Sequence, residues 1–180
     1  MKKIVIIILL AANHYCFSQE QKQSELSNAD KFSAKSGTLI ERQFIDIGVV
    51  KSIEVKVLKL KDLNDNSSFS ALRFEYEYKG GSTYSNDTKV ASLDSDEIDG
   101  LIKSIKNLQT NVFPSTRTVY TEVTYRSRAG FEAGTFFDVS KGKWSTYLQL
   151  EKYDNKSMVF LTAEDFSPLL ALIEQAKAKM

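Results

Sequence analysis

The sequence predicts an α+β fold of tandem ββββα-ββββα units, with antiparallel sheets each covered by one helix. Three observations carry that expectation. A strand end running into a helix occurs twice, from Leu93 to Ile105 and from Leu161 to Ile173, 68 residues apart. In each copy a capping residue, Asp94 or Thr162, is followed three places later by an acid, Glu97 or Asp165, the pattern that satisfies free N–H groups at a helix start. Upstream of each copy, apolar and polar residues alternate over short runs separated by turn residues, as in half-buried strands.

Each helix signal is double. Leu93 with Ile98, and Leu161 with Phe166, flank the cap at the spacing of a hydrophobic staple. Apolar residues then recur as Ile98, Leu101, Ile102, Ile105 and Leu108, and as Phe166, Leu169, Leu170, Ile173 and Ala176, one buried stripe per copy. Gly100 and Pro168 occupy equivalent places in the second turn, and Pro168 predicts a kink or a fresh start capped by Ser167.

In chain order, Met1-Lys2-Lys3 and the apolar run Ile4 to Ala12 read as a secretory signal peptide over 1–18, too short to form a stable membrane span. Cys16 and Ser18 supply small residues at −3 and −1 of a cut between Ser18 and Gln19. A lipid anchor at Cys16 is disfavoured, because His14 and Tyr15 stand where a lipobox wants small residues. Residues 19–36 are polar apart from Leu26 and Phe32 and read as a flexible leader with one helical turn at most.

A single globular domain is expected over 37–180, made of units 37–110 and 116–180. Thr38 to Ile47 is rich in β-formers, and Ile53, Val55 and Val57 alternate with charges. The alternation slips at Val57-Leu58, which predicts a β-bulge. Leu72, Phe74, Tyr76 and Tyr78 form one face of a third strand, Gly80 to Asn86 a hairpin loop, and Lys89 to Leu93 the fourth strand. Past a hinge at Asn111 to Ser115, the second unit repeats this order. Val119, Thr121, Val123 and Tyr125 share one face, then Phe131 to Val139 and Trp144 to Leu150, before the short strand Ser157 to Leu161.

Composition excludes several chemistries. Cleavage at Gln19 would remove the chain's one histidine and one cysteine and leave 162 residues with 22 basic and 23 acidic side chains. That chain has no Ser-His-Asp triad, no Cys-His pair and no imidazole or thiolate zinc site, and a domain of this size needs no disulfide. The near-balanced charge gives no electrostatic footprint for nucleic acid. No catalytic residue, metal or cofactor is expected. Glu75 and Glu77 share a strand face but are flanked by Arg73 and Lys79, which fits a solvated face better than an acid-dependent hydrolase. Asp62, Asn64 and Asn66 match the first positions of a calcium loop, yet Ser67 stands where glycine is needed and Arg73 where the bidentate acid belongs. A plain turn is favoured.

The sharper expectation concerns aromatics. If the alternation holds, Tyr120, Phe136 and Tyr147 fall on the face of the second sheet away from the helix, with Glu122, Arg126, Asp138 and Gln149 around them. Aromatic platforms on sheets suit sugars, peptides or unstacked bases; the bland alternative is cross-strand pairing that stabilises the sheet, or burial against the sister sheet. Tyr120, Phe136, Tyr147 and Arg126 are the candidate contacts for a protein, peptide or glycan partner.

The stretches Gly37 to Glu41, Asp96 to Ile102, Tyr120 to Val123 and Trp144 to Lys152 resemble those of small uncharacterised exported proteins of flavobacteria and other Bacteroidetes. That resemblance implies export and no particular activity. At the level of topology only, two ββββα units are similar to Whirly and PUR-type single-strand nucleic-acid binders and to secreted β-lactamase inhibitor proteins, whose motifs are not matched. The leading expectation is an exported, periplasmic or extracellular, non-enzymatic binding module. The alternative is a secreted inhibitor presenting the loop from Gly80 to Asn86.

Overall fold

The computed structural model describes residues 25–80 and 86–180. The signal segment, the Ser18/Gln19 cut, residues 19–24 and the tip of the Gly80 to Asn86 loop lie outside the described residues.

Two four-stranded antiparallel meanders form the framework, each followed by a helix. Strands β1 (Ile40–Val50), β2 (Ile53–Asp62), β3 (Ser68–Tyr78) and β4 (Asp87–Asp94) pair in that order, and α2 (Ser95–Asn107) follows them. Strands β5 (Thr121–Arg126), β6 (Glu132–Asp138), β7 (Lys143–Gln149) and β8 (Met158–Leu161) form the second sheet, followed by α3 (Phe166–Lys177). The tandem ββββα reading is therefore what the chain adopts.

Both helix starts use the reciprocal caps that the sequence spells. The Asp94 N–H donates to Glu97 at 3.0 Å, and the Thr162 N–H donates to Asp165 at 2.7 Å. The second cap opens a short 3₁₀ turn, Ala163–Asp165, before α3 begins at Phe166. Pro168 thus falls in the first turn of α3, where its missing N–H would have had no partner. Gly100 lies beside the Tyr125 ring of β5, where a Cβ would fall at 3.5 Å, an ordinary contact that does not require glycine.

One continuous core joins the two units. Phe74, Ile98, Phe131, Leu148, Phe166 and Ile173, drawn from both sheets and both helices, are all buried in it. Phe74 of β3 stacks on Phe131 beside β6 at 4.9 Å and 6°. The helices lie side by side, with α3 resting on β1, β2 and β3 of the first sheet rather than over its own. Contacts from Lys106 to Glu174, Gln109 to Ser167 and Lys177 to Asp99 show that α2 and α3 run antiparallel. Buried Lys89 of β4 adds an ionic joint, reaching Asp154 at 2.6 Å and Glu151 at 3.5 Å beyond β7. Its ammonium pKa is raised, first by the hydrogen bond to Asp154 and then by that to Asp87.

Two expectations need correction. Val57 and Leu58 are paired without interruption to Leu72 and Ala71, so β2 carries no bulge; the irregularity is in β1, between Asp46 and Gly48. The slip has another cause, because both faces of β2 are buried at that point. Val57 faces the main core, while Leu58, Leu60 and Ala71 form a second, smaller cluster with Ala29 and Phe32.

Those last two residues belong to the expected flexible leader. Residues Asn28–Ser33 form a docked helix, α1, capped by Ser27 and covering the outer face of the first sheet. Its first N–H groups donate to the Asp94 carboxylate, Asn28 at 2.8 Å and Ala29 at 3.1 Å. The apolar surface buried under Phe32 and Ala29 and these charge-assisted bonds offset the entropy of ordering a short polar segment.

Candidate binding face

Outer faces of the two sheets differ in kind. On the first, α1 covers one end and the rest is a charged lattice in which Phe44 lies against the Arg73 guanidinium at 5.3 Å. Lys56 bonds Glu75 at 2.7 Å, and Arg73 bonds the same carboxylate at 2.5 Å. Burial works to raise the Glu75 pKa, but the hydrogen bonds from Lys56 and Arg73 prevail and hold it below its ordinary value. A carboxyl group held ionised in this way is a poor proton donor near neutral pH.

The second sheet turns aromatic rings outward. Parity places Tyr120 and the β5 residues Glu122, Thr124 and Arg126 on that face, beside Phe136 of β6, Tyr147 of β7 and Phe160 of β8. Tyr120 and Phe160 are each 62% exposed. The Tyr120 and Phe136 rings lie 6.2 Å apart and tilted at 34°. Such a pair gains a little from mutual contact, and it leaves the Tyr120 ring largely in water while Phe136 is half-buried beside it.

Tyr147 is held differently. It faces Gly134 across the ladder, and a Cβ at Gly134 would fall 2.6 Å from its Cζ. Glycine there lets the ring lie across β6. Its hydroxyl is fixed at 3.3 Å from Thr124 Oγ1 and 3.3 Å from Glu132 Oε2. Burial raises the Tyr147 pKa, and the charge of Glu132 adds to the rise while the Thr124 contact opposes it. Tyr120 is raised too, chiefly by its hydrogen bond to Glu122. Both phenols therefore stay protonated in the neutral range, able to donate and to accept.

All four expected contacts are on this face, but they do not form one cluster. Tyr120 and Phe136 sit together at one end. Arg126 is at the other end of β5, and its guanidinium is committed to the buried Glu132, with Nε at 2.7 Å. Tyr147 lies between, and burial against the sister sheet does not apply to any of them. Phe160 is the residue the sequence reading missed, directly across the ladder from Tyr147. Its signal was available, since Leu161 faces the core and its neighbour must face outward.

The acids of the Asp62 turn and of the α2 start are occupied. Asp62 accepts from Thr38, from the Asn64 N–H at 3.0 Å and from Lys35 at 3.2 Å, which holds its pKa down at about 2, with the Thr38 bond the leading cause. That is turn chemistry. Asp94, Asp96 and Glu97 bring oxygens together, but the Arg128 side chain spans Asp94 and Asp96 and its backbone N–H donates to the Glu97 carboxylate at 2.6 Å. Among the described residues, no buried side-chain polar atom lacks a partner, and no helix is long and apolar enough to cross a membrane. No protein-family model matches the chain, and no curated protein or solved structure is detectably similar to it, so the face must be argued from its own geometry.

Proposed function

We propose that the chain is an exported, non-enzymatic binding protein that receives a protein, peptide or glycan partner on the outer face of its second sheet. One observation carries this reading: Tyr120 and Phe160 expose apolar rings, with the half-buried Phe136 beside Tyr120, on a sheet face that no described element covers, while the equivalent face of the first sheet is covered by α1 or filled with ion pairs apart from Phe44, whose ring lies against the Arg73 guanidinium. Exposed apolar rings rimmed by polar groups mark an interaction surface more often than a structural one. Around the rings, the Tyr120 and Tyr147 hydroxyls and the exposed Glu122 supply directional hydrogen bonds, while Gln149 is buried and its amide donates to the Asp154 carbonyl. Export is supported by the charged start at Lys2-Lys3 and the apolar run Ile4 to Ala12.

The test compares partner capture from the source cell's envelope by the unaltered protein and by the triple variant Tyr120→Thr, Phe136→Thr, Phe160→Thr. Threonine keeps the β-preference of each site while removing the ring. Capture is expected to fall at least about tenfold with the triple variant, a loss of the size that burying even one exposed aromatic contributes. A parallel variant on the first sheet, Arg73→Thr, should capture normally. Equal capture by the triple variant would remove the basis for this reading.

A further inference from the structure

Strand β5 is one of four sheet edges, and its margin differs from the other three. The Ser127 N–H donates to the Phe131 carbonyl at 2.9 Å, which fixes the parity of the β5–β6 ladder. Thr121, Val123 and Tyr125 turn their backbone groups toward β6; Glu122, Thr124 and Arg126 turn theirs away. All three of these side chains are exposed.

Each other edge is blunted in a way that discourages pairing. On β4, the Val90 N–H is taken by Glu151 at 3.2 Å, and α1 is docked at the strand's end. On β1, the irregularity between Asp46 and Gly48 bends the strand, and Arg42 is committed to the Ser33 carbonyl at 2.9 Å. Strand β8 has four residues. Among the described residues, β5 carries none of these devices.

The bare margin is also self-complementary. Glu122 and Arg126 stand two places either side of Thr124, so an antiparallel copy centred on Thr124 sets each Glu122 against an Arg126 and Thr124 against itself. Every residue with outward backbone groups then falls at a hydrogen-bonded position, and hydrogen-bond register and charge register agree. Centring on Val123 or Tyr125 keeps the hydrogen-bond parity but sets Thr124 against Glu122 or Arg126 and loses both ion pairs. Centring on Glu122 sets carboxylate against carboxylate, and centring on Arg126 sets guanidinium against guanidinium.

We propose that two copies of this chain pair through β5 about Thr124, making one eight-stranded sheet across a two-fold axis. The axis is normal to the sheet, so the two aromatic faces join on one side. Arg126 keeps Glu132 of its own chain and gains Glu122 of the second copy. This pairing does not depend on the binding reading, because it uses the strand's margin and not its rings.

Sedimentation equilibrium of the purified protein tests it. The unaltered chain should be a reversible dimer. Glu122→Arg replaces two attractions by two repulsions and should raise the dimer Kd roughly 10–30-fold. Adding Arg126→Glu restores opposite charges in the same register and should return Kd to within a few-fold of the starting value. Thr124→Pro removes an N–H that points away from β6, and should abolish the dimer while circular dichroism shows an intact fold. A monomer at every concentration would overturn the proposal. So would a dimer indifferent to Glu122→Arg and Thr124→Pro, or a double reversal no tighter than the single one.

Discussion

Replacing Asp94 by Ala is expected to lower the thermal unfolding midpoint by roughly 10 °C, read by circular dichroism, and to open residues 25–36 to protease. Asp94 is 1% exposed, and its carboxylate accepts from two α1 N–H groups and from the Arg128 side chain, while its own backbone begins α2. Four parts of the chain meet there: the leader helix, β4, α2 and the β5–β6 turn. Removing one partner from a buried, hydrogen-bonded ion pair costs about 3–5 kcal/mol, and here the Ala29 N–H is left buried without an acceptor while the Arg128 charge loses its partner. For a chain of this size, each kcal/mol moves the midpoint by about 2–4 °C. The protease result separates this account from a merely weakened core. If α1 is held chiefly by Asp94, cleavage appears in residues 25–36 well below the unfolding temperature; a variant that loses stability without early cleavage there would place the latch elsewhere.

Phe74→Ala should be comparably damaging, at about 3–5 kcal/mol in chemical denaturation, and its effect should reach the other sheet. The Phe74 ring is fully buried and stacks on Phe131, so the hole left by its removal lies between the units. Trp144 of β7, the chain's one tryptophan, reports the second sheet. A shared core predicts that Trp144 fluorescence and far-ultraviolet circular dichroism shift together to the same new midpoint. A Trp144 transition left where it was would mean two independent halves. The position of α3 argues against independence, because a chain cut in the hinge between units would strip the helix from β1 and β2.

Local chemistry was what the sequence made legible. The two capping boxes, the paired staples and the alternation in β3 and β5 to β7 are decided by residues within a few places of one another, and the elements form where those patterns stand. The three-residue turn from Arg128 to Gly130 follows the same logic, with Gly130 at φ +94°, a conformation glycine reaches without strain. Placement across the molecule was not legible. Nothing in the stripe from Phe166 to Ala176 says which sheet it covers, since either would bury it equally well. The slip at Val57-Leu58 did carry the right information, two buried faces, but a bulge explains the same letters until a cover for Leu58 and Leu60 is known. That cover, α1, is too short and polar to declare itself.

At the candidate face, parity alone placed Tyr120, Phe136, Tyr147 and Arg126 on one side, and there the structure agrees. What parity could not supply was the state of each side chain. Arg126 neutralises Glu132, and Tyr147 is laid over Gly134, so the rings most available to a partner are Tyr120 and Phe160, with the half-buried Phe136 beside Tyr120.

Whether those rings serve the fold or something outside it is decided most directly by the folding free energy of the triple variant Tyr120→Thr, Phe136→Thr, Phe160→Thr, measured by urea unfolding. Cross-strand pairs contribute about 0.2–1 kcal/mol each, and two are lost, so a face kept for a partner predicts a total change within about 2 kcal/mol of the unaltered protein. A loss of 3 kcal/mol or more, about that of a deleted core residue, would assign the rings to the sheet itself and contradict the account.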